Sequence, residues 1–340
     1  MIGRVYRLMD TKRVEMVQRE VLAAAGDVLV KPEYMAICAA DRRYYFGKRK
    51  KEILAKKLPM ALVHEATAIV LYDYGGVLPA GSKAVLIPLD EEAGNYEKAK
   101  ANYRPGSKFA SSGLDGFMRD VISLPRDRLL PVTGEYSVVY VFAEILSVAI
   151  GAIQAFEEVR RVPRNALAVW GDGAMGFVMS LALRCVYPDA KVYVFGKSAR
   201  KLQKFSFATK TFYIDQIPDE LWIDHCFECV GDTGSELAIA QMTHIAAPQA
   251  TISLLGVSDD AVAVNTRKIL EKGLRLVGSN RSDKEDFRKA VAMISENEMC
   301  RRYLGILVSE MVDVKNENDI PKAFEHDVLN DFKTVIKWSI

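Results

Sequence analysis

Three glycines, Gly171, Gly173 and Gly176, form a G-x-G-x-x-G pattern with Asp172, Ala174 and Met175 between them. An apolar run, Ala166 to Trp170, leads into it, and a helix-like apolar run, Phe177 to Val186, leads out. A second strand-like run follows from Lys191 to Phe195. Strand, glycine turn, helix and strand in that order are the context in which the pattern binds a dinucleotide. Gly171 permits the tight turn, Gly173 lets a pyrophosphate approach backbone N–H groups, and Gly176 lets helix and strand pack closely. A purely structural glycine turn would not require the second strand.

The end of that second strand selects the nucleotide. NAD-binding units usually place Asp or Glu there to bind the ribose 2′-hydroxyl. Here the chain reads Gly196-Lys197-Ser198-Ala199-Arg200-Lys201. The acid is missing and cations replace it. Lys197, Ser198 and Arg200 offer the charge and donors that a 2′-phosphate needs, which points to NADPH. A solvated basic helix start would also place cations here, but it leaves the missing carboxylate unexplained. Val230 and Gly256 stand at the ends of later strands, where the nicotinamide half is expected to run.

A second group of residues has a different chemistry. Cys38, the pair His64-Glu65 and Glu144 supply a thiolate, an imidazole and carboxylates, which are zinc donors. Zinc polarises a carbonyl without redox change of its own, which suits hydride transfer to a ketone. Spacing alone does not bring these residues together, and most residues of such types are structural. Cys226 and Cys229 form a C-x-x-C, but they lie in a strand-like run. Their side chains would then face opposite ways, and no second pair completes a site.

The 340 residues suffice for two domains. Half are hydrophobic and the net charge is +2, which gives no global drive toward nucleic acid or membrane. Five scattered cysteines argue against a disulfide framework. The opening residues, Met1 to Tyr6, lack the apolar core of a secretion signal, and the longest apolar run, Val138 to Phe156, is broken by Glu144 and Gln154. A cytoplasmic location is the expectation.

The elements that must hold these groups fall into two parts. The N-terminal part lacks a strand–helix rhythm and reads as mostly β, with strands at 27–31, 66–72, 83–88 and 117–124. Residues 91–112 read as a polar surface loop. A helix over 138–159 leads into strands at 166–170, 191–195, 211–214, 223–230, 251–255 and 274–278, a six-stranded doubly wound unit. A helix over 284–297 follows. A last strand over 334–338 is expected to return to the first part.

The order of these features resembles the medium-chain dehydrogenase/reductase superfamily across essentially the whole chain. Cys38-Ala39-Ala40-Asp41 is similar to its Cys-Gly-Ser/Thr-Asp element and His64-Glu65 to its Gly-His-Glu element. Glu144-Ile145-Leu146-Ser147-Val148 is similar to the Glu-Pro-Leu-Ser-Val of its polyol dehydrogenases. The resemblance implies an α/β protein, with a Rossmann domain over 150–281 and a mostly β, GroES-like catalytic domain over 1–149 and 282–340. It further implies that Cys38, His64, Glu65 and Glu144 are the catalytic zinc ligands, one of them yielding to water or substrate.

Further segments resemble the ribulose-5-phosphate reductases of ribitol-phosphate polymer synthesis. They include Arg43-Tyr44-Tyr45, Leu58-Pro59-Met60, Ser111-Ser112-Gly113, Phe227-Glu228-Cys229-Val230-Gly231 and Leu254-Leu255-Gly256-Val257-Ser258. That resemblance implies NADPH-dependent reduction of D-ribulose 5-phosphate to D-ribitol 5-phosphate. It implies a homodimer or tetramer, and a ribitol-5-phosphate cytidylyltransferase as the partner that makes CDP-ribitol for teichoic acid or capsule. Arg42, Arg43, the run Lys48 to Lys51 and Arg281 are candidate cations for the substrate phosphate, the lysine run reading equally as a solvated helix start. Two departures stand out. Residues 91–112 lack the four cysteines of a structural zinc, so one zinc is expected. Ala40 replaces the hydroxyl residue that relays a proton in many relatives.

Overall fold

The computed structural model describes residues 1–91 and 99–340. It divides into two compact units, Met1–Glu144 with Ser282–Ile340, and Ile145–Arg281. The first unit thus ends at Glu144, where the sequence placed the boundary after 149.

The first unit opens with a hairpin, β1 (Ile2–Asp10) and β2 (Arg13–Glu20), which the strand reading of the sequence did not include. No residue of β2 is fully buried, so it lacks the one-sided apolar alternation that marks a strand. Then come β3 (Asp27–Ala36), α1 (Ala39–Tyr45) and α2 (Lys51–Lys57). The helix α2 grows out of the lysine run. Next are β4 (Met60–Ala61), β5 (Glu65–Asp73), β6 (Lys83–Leu86) and β7 (Leu89–Asp90). They are followed by β8 (Lys108–Phe109), β9 (Ile122–Pro125) and β10 (Leu129–Pro131).

Two sequence expectations change here. The strand expected at 117–124 begins only at Ile122. Ahead of it Phe117 N–H donates to the Val63 carbonyl and Met118 accepts from Tyr6, so this segment bridges neighbours instead of pairing along one of them. The expected surface loop over 91–112 carries buried Ala101, Asn102 and Phe109, and β8 pairs with β7. Within that stretch, residues 92–98 lie outside the described residues.

A short 3-10 turn, Val138–Phe142, runs into α3 (Ala143–Val159). Among the described residues this is the one helix long and apolar enough to cross a membrane, and 78% of that stretch is buried in the fold. The second unit continues with β11 (Ala166–Trp170), α4 (Ala174–Val186), β12 (Lys191–Gly196) and α5 (Ala199–Leu202). It goes on through β13 (Lys210–Tyr213), β14 (Ile223–Glu228), α6 (Gly234–Ile245), β15 (Ala246–Leu254), α7 (Thr266–Lys272) and β16 (Arg275–Gly278).

Among the described residues these strands form a parallel sheet of order β13-β12-β11-β14-β15-β16. The order reverses between β11 and β14, and ligands of such sheets bind at that switch point, beyond the carboxyl ends of the strands. Trp170 stacks on Phe195 with ring centroids 4.0 Å apart, and Phe195 stacks on Phe212. Burying side chains of this size stabilises the sheet by about 1.5–3 kcal/mol each.

The chain then returns to the first unit through α8 (Lys284–Glu296), α9 (Glu298–Leu304), β17 (Val308–Val314), α10 (Asp319–Leu329) and β18 (Lys333–Trp338). The Asp283 carboxylate caps α8 by accepting the N–H groups of Glu285 and Asp286. Strand β18 pairs parallel to β17 and antiparallel to β3, with Val335 opposite Ala36. That register brings the start of β18 beside the end of β3, two residues before Cys38.

Candidate active site

In the second unit the glycine turn has the geometry its residue types require. Gly171 sits at φ +126, and a Cβ there would press on the Cys229 carbonyl. A Cβ on Gly176 would overlap the Gly171 carbonyl oxygen, so only glycine allows α4 to start this close to β11. Among the described residues nothing stands within 4 Å of where a Gly173 side chain would be, which leaves that backbone open to a ligand. Gly173 caps α4, and Ala174 and Met175 form its first turn, so free N–H groups and the helix dipole favour an anion there.

Beside this turn a pocket is lined by Gly171, Asp172, Gly196, Lys197, Val230 and Leu237, among others. Asp172 does more than occupy a variable position. Its Oδ2 accepts the N–H groups of both Lys197 and Ser198 at 2.7 Å, tying the glycine turn to the end of β12. Lys197 and Arg200 are exposed and Ser198 is half-buried. Val230 and Gly256 follow β14 and β15, beyond the carboxyl ends of those strands. The open glycine cradle, the helix N-terminus and the cationic strand end are the features a 2′-phosphorylated dinucleotide needs.

In the first unit three distant segments converge. Cys38 precedes α1, His64 precedes β5 and Glu65 opens it, and Lys333 opens β18. The ligand atoms of Cys38, His64 and Glu65 all lie within 4.8 Å of one another. Tetrahedral zinc bonds of about 2.0–2.3 Å require donors gathered on this scale. Glu65 is fully buried. Its Oε1 accepts from Lys333 Nζ at 2.5 Å, while its Oε2 has no hydrogen-bond partner among the described residues. An orphaned buried carboxylate oxygen among a thiol and an imidazole fits a divalent cation.

Asp41 organises this cluster. It is fully buried, and it accepts the N–H groups of Cys38 at 3.1 Å and Val63 at 3.0 Å and the hydroxyl of Ser111 at 2.5 Å. It also stands 3.5 Å from His64 Nδ1. Val63 is held at φ +68, a genuine outlier for a β-branched residue, and its strain sets the chain direction into His64. Burial opposes a charge on His64, but Asp41 and Cys38 outweigh it and hold the imidazole pKa well above its ordinary value. Burial likewise opposes the Lys333 ammonium, and Glu65, Cys38 and Glu144 outweigh it, so its pKa is raised. A cluster that retains protons so strongly attracts cations in general, and a metal would compete with the proton on His64.

Glu144 is buried in the same unit but does not belong to the three-donor cluster. Burial pushes its carboxyl up to about 7, with the charge of His64 pulling the other way. Among the phosphate candidates, Arg42 is paired with buried Asp327 at 3.3 Å. Cys226 and Cys229 are buried, and burial raises both thiols; Cys226 lies in β14, whereas Cys229 falls just past its end at Glu228, where the sequence had placed it inside the strand.

No protein-family model matches the chain. Ribulose-5-phosphate reductase 2 of Staphylococcus aureus is 42% identical to it over 342 residues, covering 100% of both chains. Ribulose-5-phosphate reductase of Bacillus spizizenii is 40% identical, again over 100% of both. The chain belongs to the ribulose-5-phosphate reductase family. A solved structure of S. aureus TarJ in complex with NADPH superposes with a TM-score of 0.88 at 38% identity, covering 100% of both chains. This family is the one that the segments around Cys38, Ser111, Phe227 and Leu254 resemble, and its fold is that of the zinc-dependent medium-chain dehydrogenases.

For a ribulose-5-phosphate reductase the sequence reading left three residues without a role. Asp41 ends the Cys38–Asp41 element without a role of its own there, and its four partners make it the organiser of the metal cluster. Lys333 had no local signal, because its partner Glu65 is 268 positions away. Glu228 lay inside a recognised segment, yet only its neighbours Cys229 and Val230 were given roles.

Proposed function

We propose that this chain reduces D-ribulose 5-phosphate to D-ribitol 5-phosphate with NADPH. The observation that carries this reading is an intact nucleotide turn and an intact Cys38–His64–Glu65 donor cluster in a chain about 40% identical, end to end, to named ribulose-5-phosphate reductases. NADPH would be held at Gly171–Gly176, with Lys197, Ser198 and Arg200 at its 2′-phosphate and with Val230 and Gly256 beside its nicotinamide half. Cys38, His64 and Glu65 would hold a single zinc, with Glu144 as the nearby carboxylate. When bound, zinc supplies Lewis-acid polarisation of a carbonyl and NADPH supplies the hydride.

The chain's own groups prepare that chemistry. Asp41 fixes the ring of His64 through its Nδ1 side and fixes Cys38 through the backbone. Lys333 pairs with one carboxylate oxygen of Glu65 and leaves the other available. The product suits a cytidylyltransferase that makes CDP-ribitol for teichoic acid or capsule. We place the enzyme in the cytoplasm as a homodimer or tetramer.

The test is NADPH oxidation by zinc-replete protein with D-ribulose 5-phosphate, and with unphosphorylated D-ribulose as control. Turnover with the phosphate alone is expected. Equal turnover with both would make the chain a general polyol dehydrogenase, and turnover with neither would remove the substrate.

A further inference from the structure

We infer that Glu228 is a positioning residue for the nicotinamide half of the cofactor, an inference that rests on the NADPH reading above. Glu228 ends β14 and is 1% exposed. A buried carboxylate is costly unless its oxygens are met by donors. Here Oε1 accepts the N–H groups of Val230 at 2.7 Å and Gly231 at 2.9 Å, and the hydroxyl of Ser235 at 3.1 Å. Oε2 accepts the N–H of Gly256 at 2.9 Å.

The three backbone donors belong to two separate turns, and Ser235 stands on α6. Val230 and Gly231 follow β14, and Gly256 follows β15. One carboxylate therefore fixes both turns at once. Both strands lie beyond β11 on the side away from β12, so their carboxyl ends serve the half of a dinucleotide opposite the adenosine. The turns are shaped around the carboxylate. Gly231 sits at φ +74, and a Cβ on Gly256 would overlap Glu228 Oε2. Val230 and Val257 border them and remain 42% and 52% exposed, an apolar surface on which a flat ring can rest.

A neutral amide cannot replace this arrangement. Glutamine offers one acceptor oxygen, and its NH2 group would face an N–H of one turn or the other. Glu228→Gln therefore loses the side-chain hold on either the 230–231 turn or the 256 turn, although the Glu228 main-chain carbonyl still accepts from Leu255 and Gly256.

The experiment compares two ligands on wild type and E228Q. NADPH reports the whole site, and 2′-phospho-ADP-ribose reports everything except the nicotinamide. NADPH affinity is expected to fall by about tenfold or more in E228Q, while the fragment changes by less than about twofold. Gly256→Ala pushes on the same carboxylate, and on the Gly231 N–H bonded to it, from the second turn without changing its charge, and the same selective loss is expected. It carries the test if E228Q does not fold, and thermal unfolding checks both variants. Unchanged NADPH affinity in the folded variants overturns the inference. So does equal weakening of NADPH and fragment, since that is what a general structural role would give. A wild-type protein that binds neither ligand instead overturns the cofactor reading and this inference with it.

Discussion

The nucleotide turn and the metal cluster are built in opposite ways. The turn is one continuous segment, Gly171 to Gly176, and it works through backbone: an open Gly173, a helix start and amides. Its principal side-chain contact, Asp172, reaches only to Lys197 and Ser198. The metal cluster is made of side chains from the end of β3, the start of β5, the segment near Ser111 and the start of β18. Asp41, His64, Glu65, Ser111 and Lys333 are buried there, and Glu65 and Lys333 form an ion pair. A backbone site tolerates local change because water can replace a lost partner, whereas a buried charged cluster loses an ion pair with no replacement.

Removal of the metal cluster's first donor should have the largest effect. Cys38→Ser, or zinc removal by a chelator, is expected to cost about a thousandfold in ketone reduction, of the order of 4 kcal/mol in the barrier. NADPH affinity should change by less than about twofold, because the nucleotide turn shares no residue with the cluster. Near-normal turnover of a zinc-depleted sample would break the comparison, since the cluster would then be structural.

Lys333→Met comes next. It leaves the Glu65 carboxylate buried without its ion pair, which is expected to destabilise the metal-free protein by about 3–5 kcal/mol. Because bound zinc offsets the lost positive charge, chelator competition should show zinc affinity held or raised in the variant. Bound zinc supplies positive charge beside Glu65, so the fall in unfolding temperature should be smaller in the zinc-loaded protein. An equal fall with and without zinc would mean that Lys333 acts only as packing.

The two constructions also explain what could be read from the residues. A continuous backbone motif has a spacing, and Gly171, Gly173 and Gly176 display it between a strand and a helix. The parallel strands of that unit are buried apolar runs, and their positions were legible to within a few residues apart from β15, which starts earlier, at Ala246. Side chains that meet only after folding have no spacing. Cys38, His64 and Glu65 looked no different from structural residues until their segments were matched to a family. Lys333 carried no signal, because its meaning lies in the β18–β3 register. The hairpin of β1 and β2 was missed for a related reason: β2 buries no side chain fully, so its pattern has no apolar face.

Two smaller predictions sharpen the nucleotide side. Lys197→Ala with Arg200→Ala should weaken NADPH by about tenfold and NADH by less than about twofold, because only NADPH carries the 2′-phosphate. Equal losses would mean that these cations do not read it.

Asp172→Ala should have the smallest effect. Its carboxylate holds two N–H groups of an exposed strand end, so water can take over both when it is removed. Each such bond contributes about 0.5–1.5 kcal/mol net, and re-solvation should leave a loss of only about threefold in NADPH affinity. Asp172→Asn keeps one acceptor oxygen and should fall between wild type and Asp172→Ala. Affinity for NADH is the informative control. If Asp172 acts by holding the Lys197–Ser198 turn against the 2′-phosphate, NADH affinity stays near wild type while NADPH weakens. If both nucleotides weaken together, Asp172 supports the glycine turn itself, and the backbone site depends on a side chain more than its continuous sequence implies.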